Sequence, residues 1–155
     1  MVDSDKTREL FMDIAYKIHG LVMLMDKDAE KFLQKELELS YNQFLIIFAI
    51  SEHCAKTQKS VAFFTNLTEA AVSKQIENLR KSGYMTRVES SEDRREHILS
   101  LTSKGSEKAN KAKSLIYKNV KKLFSVLNTA QLTDLHTHLD KLFQKITHNS
   151  KYFNH

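Results

Sequence analysis

The side chains best suited to chemistry stand in "SSEDRRE" (90–96), where Asp93, Arg94 and Arg95 are consecutive between two short β-prone segments, "YMTRVE" (84–89) and "HILSLT" (97–102). The pattern predicts a hairpin whose tip carries two arginines in place of the glycine or proline of an ordinary turn. Guanidinium groups on a projecting tip suit the narrow, electronegative minor groove of duplex DNA. Asp93 can hold one arginine in a bidentate clamp and fix the loop while the other points outward. A solvated turn with an incidental charge pair is the alternative that the tip alone leaves open.

A second polar cluster lies upstream in "EAAVSKQIENLRKS" (69–82), a segment that Thr68 can cap and that Gly83 can end in a left-handed conformation. On a helical wheel Val72, Ile76 and Leu79 share one side, while Ala70, Lys74, Glu77 and Lys81 lie opposite, flanked by Ser73 and Asn78. Ala70, Ala71 and Ser73 are small enough to let this face approach base edges. Ser73 can donate or accept a hydrogen bond, and Lys74 can address guanine or a phosphate. An amphipathic helix of a protein–protein module would show the same periodicity.

Other chemistries find little footing. There is no Gly-rich phosphate loop, nucleophile motif or suggestive carboxylate pair, so no enzyme is expected. His136 and His138 are two apart, which on a helix sends them to nearly opposite sides, so neither a metal site nor a cofactor is expected. Cys54 is the single cysteine; it excludes a disulfide within the chain, agrees with a reducing compartment and reads as a buried or idle thiol.

These clusters need elements to position them. The 155 residues suffice for one domain with a sizeable core, and the absence of proline with only three glycines predicts a mainly α chain with a small β-hairpin. The start "MVDSDKTREL" has no apolar signal-peptide core and the longest apolar run, "FLIIFAI" (44–50), is too short to span a bilayer, so a cytoplasmic protein without membrane contact is expected. Apolar residues at three- and four-residue spacing run from Leu10 to Leu37, predicting one long helix over about 7–37. Ser40 can cap a second helix, and Ser60 a short third one, "VAFFTN". Two further helices follow the hairpin, with Leu115, Ile116, Val120, Leu123, Phe124 and Leu127 on one and Leu132, Leu135, Leu139, Leu142, Phe143 and Ile146 on the other.

Helix, short helix, helix and hairpin is the order of a winged helix-turn-helix, whose second long helix enters the major groove while the hairpin reaches the neighbouring backbone or minor groove. The net charge of +5 fits an acidic polymer but is unevenly spread. Residues 103–125 hold seven lysines against Glu107 alone, a run read as a solvated helix face, whereas 68–102 carry six basic and six acidic groups that cancel. That cancellation is what favours a rival function, a winged-helix protein-interaction module without specific DNA binding.

The stretch "LTEAAVSKQIENLRKSGYMTRVESSEDRREHILSLTSKG" (67–105) resembles the signature of the MarR family of bacterial transcription regulators, with Leu79, Lys81, Gly83, Asp93, Arg95, Leu101, Thr102 and Gly105 in the family's places. Fainter likeness through "LSYNQFLIIFAISEH" (39–53) and the terminal helices extends it over nearly the whole chain. The third helix, "VAFFTNL", departs from the usual Leu-Ala pair, and Glu69 and Glu77 make the recognition helix less basic than many.

The resemblance implies a single domain over 1–155, with a DNA-binding winged helix at about 40–105 and dimerisation helices at about 5–37 and 106–149. It implies a homodimeric repressor on a pseudo-palindromic operator of double-stranded DNA. Asp93 and Arg95 become the structural pair of the wing, Arg94 the minor-groove finger, and Ala70, Ser73, Lys74, Lys81, Arg94 and Arg95 the DNA-binding set. Family members commonly release DNA when a small aromatic acid or other inducer binds, or when a cysteine is oxidised; Tyr16, His19, Met23, Tyr41 and His53 are the candidate pocket walls here, with ordinary packing as the alternative. The family's peroxide sensors carry their cysteine near the start of the first helix, unlike Cys54.

Overall fold

The computed structural model describes residues 4–53, 55–89 and 97–148. In order come α1 (Ser4–Leu37), α2 (Tyr41–Glu52), α3 (Gln58–Thr65), α4 (Glu69–Lys81), β1 (Met85–Glu89), β2 (His97–Leu101), α5 (Ser103–Phe124) and α6 (Thr129–His148). The chain divides into two compact units, Met1–Ile116 and Tyr117–His155.

In the first unit the core collects Ala29 and Leu33 from the end of α1, Leu39 from the following turn, Phe44, Ile46, Ile47 and Ala49 from α2, and Val61 from α3. Val72, Ile76 and Leu79 of α4, Met85 and Leu99 of the hairpin, and Ala109 and Ala112 of α5 complete it. Helix α2 sits at its centre, which explains why its sequence is apolar on nearly every side. Ser40 caps α2 as expected: its hydroxyl accepts from the Gln43 N–H while the Gln43 side chain accepts from the Ser40 N–H.

The short third helix begins one turn earlier than expected. Thr57, not Ser60, is its N-cap, because the two side chains close a reciprocal box in which the Ser60 N–H donates to Thr57 Oγ1 (3.1 Å) and the Thr57 N–H to Ser60 Oγ (3.0 Å). Asn66 ends this helix in a left-handed conformation, φ 54°. The strands β1 and β2 pair antiparallel with Met85 opposite Leu101, Arg87 opposite Leu99 and Glu89 opposite His97. A bond from the Leu99 N–H to the Lys56 carbonyl (2.7 Å) fastens β2 to the segment before α3.

The root of the hairpin is built around Tyr84. Gly83, φ 74°, turns the chain out of α4, and the Tyr84 carbonyl accepts from the Thr102 N–H at 3.1 Å. Thr102 caps α5 by accepting from the Gly105 N–H while its hydroxyl donates to the Gly83 carbonyl (2.7 Å). Gly105 packs so closely under Tyr84 that a Cβ would lie 1.9 Å from the Tyr84 carbonyl oxygen. The missing side chain, not backbone freedom, is therefore what the position demands.

The reading of the 103–125 lysines as a solvated face needs correction for three of them. Lys104 donates to the Ser82 carbonyl (2.9 Å) and Lys108 to the Leu37 carbonyl (2.8 Å), and both ammonium groups lie over the Tyr84 ring. Lys113 bridges to Glu52 at 2.7 Å, and that hydrogen bond holds the Glu52 carboxyl below its ordinary pKa. Helix C-terminal carbonyls lack intrahelical donors, so lysines reaching from α5 complete the ends of α1 and α4.

The second unit contains α6, opened by a reciprocal pair in which the Asn128 N–H donates to Gln131 Oε1 and the Gln131 N–H to Asn128 Oδ1. Leu135, Leu139, Leu142 and Ile146 form an exposed apolar stripe along it. Among the described residues no helix is long and apolar enough to cross a membrane.

Candidate nucleic-acid interface

The face of α4 follows from what the core takes. With Val72, Ile76 and Leu79 buried, the helix turns Ala70, Lys74 and Lys81 outward, with Ser73 half-buried beside them. Thr68 fixes where this surface starts by accepting from the Ala71 N–H at 3.2 Å. Gln58, at the start of α3, donates to the Glu69 carbonyl and ties together the N-terminal ends of the two helices. Ala70, Ser73 and Lys74 thus fall within the first turn and a half of one exposed helix end, while Lys81 is about two turns further on.

The acidic residues that lowered the charge of this helix are partly accounted for. Glu77 bridges to Arg80 at 2.8 Å, a pair of i,i+3 neighbours on the same helix. Glu69 remains at the first turn, where a carboxylate is favoured by the helix dipole.

Shallow grooves border α4 on both sides. One, of about 390 Å³, lies between the end of α4 and β1 and is lined by Arg80, Lys81, Thr86 and Arg87 among others; the other, of about 240 Å³, lies between the starts of α3 and α4 and the hairpin, with Gln58, Lys59, Glu69, Arg87 and His97 on its walls. Arg87 lines both, and sequence reasoning passed over it. Its signal was the alternation of β1: Met85 is buried, so Arg87, two residues on, shares its face. Asp93, Arg94 and Arg95 lie outside the described residues, as does Cys54.

Residues 29–112 match the family described as transcriptional regulator SarA/Rot. That segment holds every element from the end of α1 into α5 and more than half of the chain. The chain belongs to the SarA/Rot family of transcriptional regulators. Among curated relatives it is similar to the HTH-type transcriptional regulator BilQ of Clostridium symbiosum, 32% identical over 111 residues that make up 71% of this chain and 76% of BilQ. It is also similar to the HTH-type regulator YdcH of Bacillus subtilis, 32% identical over 87 residues; that match spans 54% of the chain and 59% of YdcH, less than two thirds of its length. The fold is that of the transcriptional regulator BldR from Sulfolobus solfataricus, with a TM-score of 0.72, 26% identity, and coverage of 94% of this chain and 99% of BldR. It is shared with MepR of Staphylococcus aureus, solved as a DNA complex, at a TM-score of 0.69, 19% identity, and coverage of 85% and 95%. This SarA/Rot member is a transcriptional regulator whose fold is a winged helix.

The regulator does not gather the five candidate pocket residues within its own chain. Tyr16, His19 and Met23 are exposed along the middle of α1. Tyr41 and His53 stand at opposite ends of α2, about 18 Å apart along its axis. His53 stacks on Phe64 with ring centroids 4.9 Å apart and meets the edge of Phe48 at 5.6 Å. Tyr41 is bound to α1: its hydroxyl donates to Asp26 at 2.7 Å and its N–H to the Glu30 carboxylate.

Burial first, then the hydrogen bond and charge of Asp26, push the Tyr41 phenol well above its ordinary pKa. A raised folded-state value means that this group's stabilisation is complete below the unfolded pKa of about 10 and is lost as pH rises through the folded value. Tyr41→Phe is expected to cost about 1 kcal/mol at neutral pH and to flatten the loss of stability above pH ~10, read from urea midpoints across pH. An unchanged alkaline slope would show that the Asp26 contact contributes nothing.

Proposed function

We propose that this regulator works in the cytoplasm as a homodimer that binds a pseudo-palindromic DNA operator with sequence specificity and represses transcription, releasing DNA when a small aromatic or other inducer is bound. Its action is binding, not catalysis. The observation that carries the reading is the exposed N-terminal end of α4, small and polar beside a buried apolar face, within the winged-helix order of the family. In this reading Ala70, Ser73 and Lys74 address base edges, Lys81 a phosphate and Arg94 the minor groove, while Asp93 and Arg95 hold the wing. That MepR, a protein of the same fold, was solved in complex with DNA supports DNA as the partner.

A dimer is supported by the apolar stripe of α1 and by that of α6, each uncovered within its own unit. A two-fold dimer would present its recognition helices about 34 Å apart, one DNA turn. The test is selection of 30-bp duplexes from a randomised pool, followed by fluorescence anisotropy at two salt concentrations with excess random duplex. Recovery of a two-fold symmetric motif, bound in a salt-dependent way that resists the competitor and weakened in Arg94→Ala without loss of thermal midpoint, is the expected result. Failure to enrich any motif would instead favour the protein-interaction module, to which the cancelling charges of 68–102 point.

A further inference from the structure

Arg87 is half-buried on the hairpin face that it shares with Met85 and Leu99, residues 3% and 1% exposed. An arginine so placed can bury its stem against the hairpin while its guanidinium stays open to a carboxylate or a phosphate, with which it makes charge-assisted hydrogen bonds. Among the described residues Arg87 has no ion-pair partner. Glu77, across the groove at the end of α4, is held by Arg80, and Glu89, two residues along the same face, makes no bridge to it.

The chemistry around it is that of an anion site. In the groove between the starts of α3 and α4, Arg87 is accompanied by Lys59 and His97, with Glu69 as the sole carboxylate among the described residues on the walls. The N-terminal ends of α3 and α4 border this groove and favour negative charge. In the groove on the other side, Arg80, Lys81 and Arg87 stand with Glu77 as the one carboxylate among the described residues. Arg87 therefore stands where two cation-rich grooves meet beside the helix that addresses the bases.

We infer that Arg87 is a phosphate anchor at the base of the wing: its guanidinium takes a phosphodiester of the DNA backbone in the α3–α4 groove, with Lys59 as the second cationic donor. The contact is independent of base identity and fixes how α4 enters the major groove. It rests on the DNA-binding reading above and adds a residue that the α4 face and the wing tip do not include.

The test compares wild type, Arg87→Gln, Arg87→Lys and Lys59→Gln on the selected duplex and on an arbitrary 30-bp duplex, following the binding constant over a range of salt. Loss of one phosphate contact per protomer lowers the salt slope by about 0.9, or close to 2 for a two-fold dimer. Arg87→Gln is expected to show that loss and to weaken binding to both duplexes by the same factor, and Arg87→Lys to recover most of the slope. A wild-type slope in Arg87→Gln, or weakening confined to the selected duplex, overturns the inference while leaving the regulator reading intact. If wild type itself selects and binds no duplex, both fail. Should Arg87→Gln not fold, Lys59→Gln at an exposed position decides: a reduced slope upholds the groove as a phosphate site, and an unchanged one overturns it.

Discussion

Gly105→Ala is expected to lower the thermal midpoint by roughly 6–12 °C, corresponding to about 3 kcal/mol for a chain of this size. The added Cβ would lie 1.9 Å from the Tyr84 carbonyl oxygen and 2.9 Å from its carbon, and the obstacle is backbone, not the end of a flexible side chain. Relief requires moving either the start of α5 or the residue that links α4 to β1. Either movement disturbs the bonds from Thr102 to Tyr84 and Gly83 and from Lys104 to Ser82. DNA affinity should fall with stability, because those bonds set where the hairpin leaves α4. Gly83→Ala makes a useful contrast: no atom lies within 4 Å of a Cβ there, so its cost is that of φ 74° alone, about 1 kcal/mol. Equal midpoints for the two variants would show that the close approach at Gly105 is relieved at little cost.

The second large effect concerns assembly. Along α1 the apolar residues Leu10 (55%), Ile14 (42%) and Leu21 (50%) are exposed in the single chain, a stripe at helical spacing on the half of the helix that the core does not use. If a second copy covers it, replacing Ile14 and Leu21 together by aspartate places charges in a dry interface. The double variant is expected to sediment as a monomer. It should also bind the selected operator at least ~100-fold more weakly, since two linked recognition helices gain that factor or more over one. A wild-type thermal midpoint that rises with protein concentration is the companion observation. A variant that stays dimeric, or a monomer with undiminished operator affinity, would place the partner-covered face elsewhere.

Much of the winged helix was legible before any coordinates. The periodicity of Val72, Ile76 and Leu79, the caps Ser40 and Thr68 and the left-handed Gly83 all express interactions within about one helical turn, and each stands where expected. The outward placement of Ala70 and Lys74 followed from the same periodicity. The start of the third helix is legible only to within a turn, because Thr57 and Ser60 are both good caps; both belong to one box, and the order of the pair decides which of them begins the helix.

What the sequence by itself determined is therefore local: which segments are helix or strand, which face of each is apolar, and which motif the recognition helix and the hairpin compose. Tertiary structure alone decided the partners of long side chains and the closeness of backbones. Lys108 meets Leu37 across 71 residues and Lys113 meets Glu52 across 61, separations at which no periodicity or cap carries information. The demand for glycine at position 105 arises from the Tyr84 carbonyl, and Arg87 acquires its place between two grooves only when the hairpin packs against α3 and α4. Short-range preferences act through the few bonds that one turn can reach, whereas charge partners and close approaches are set by how finished elements pack together.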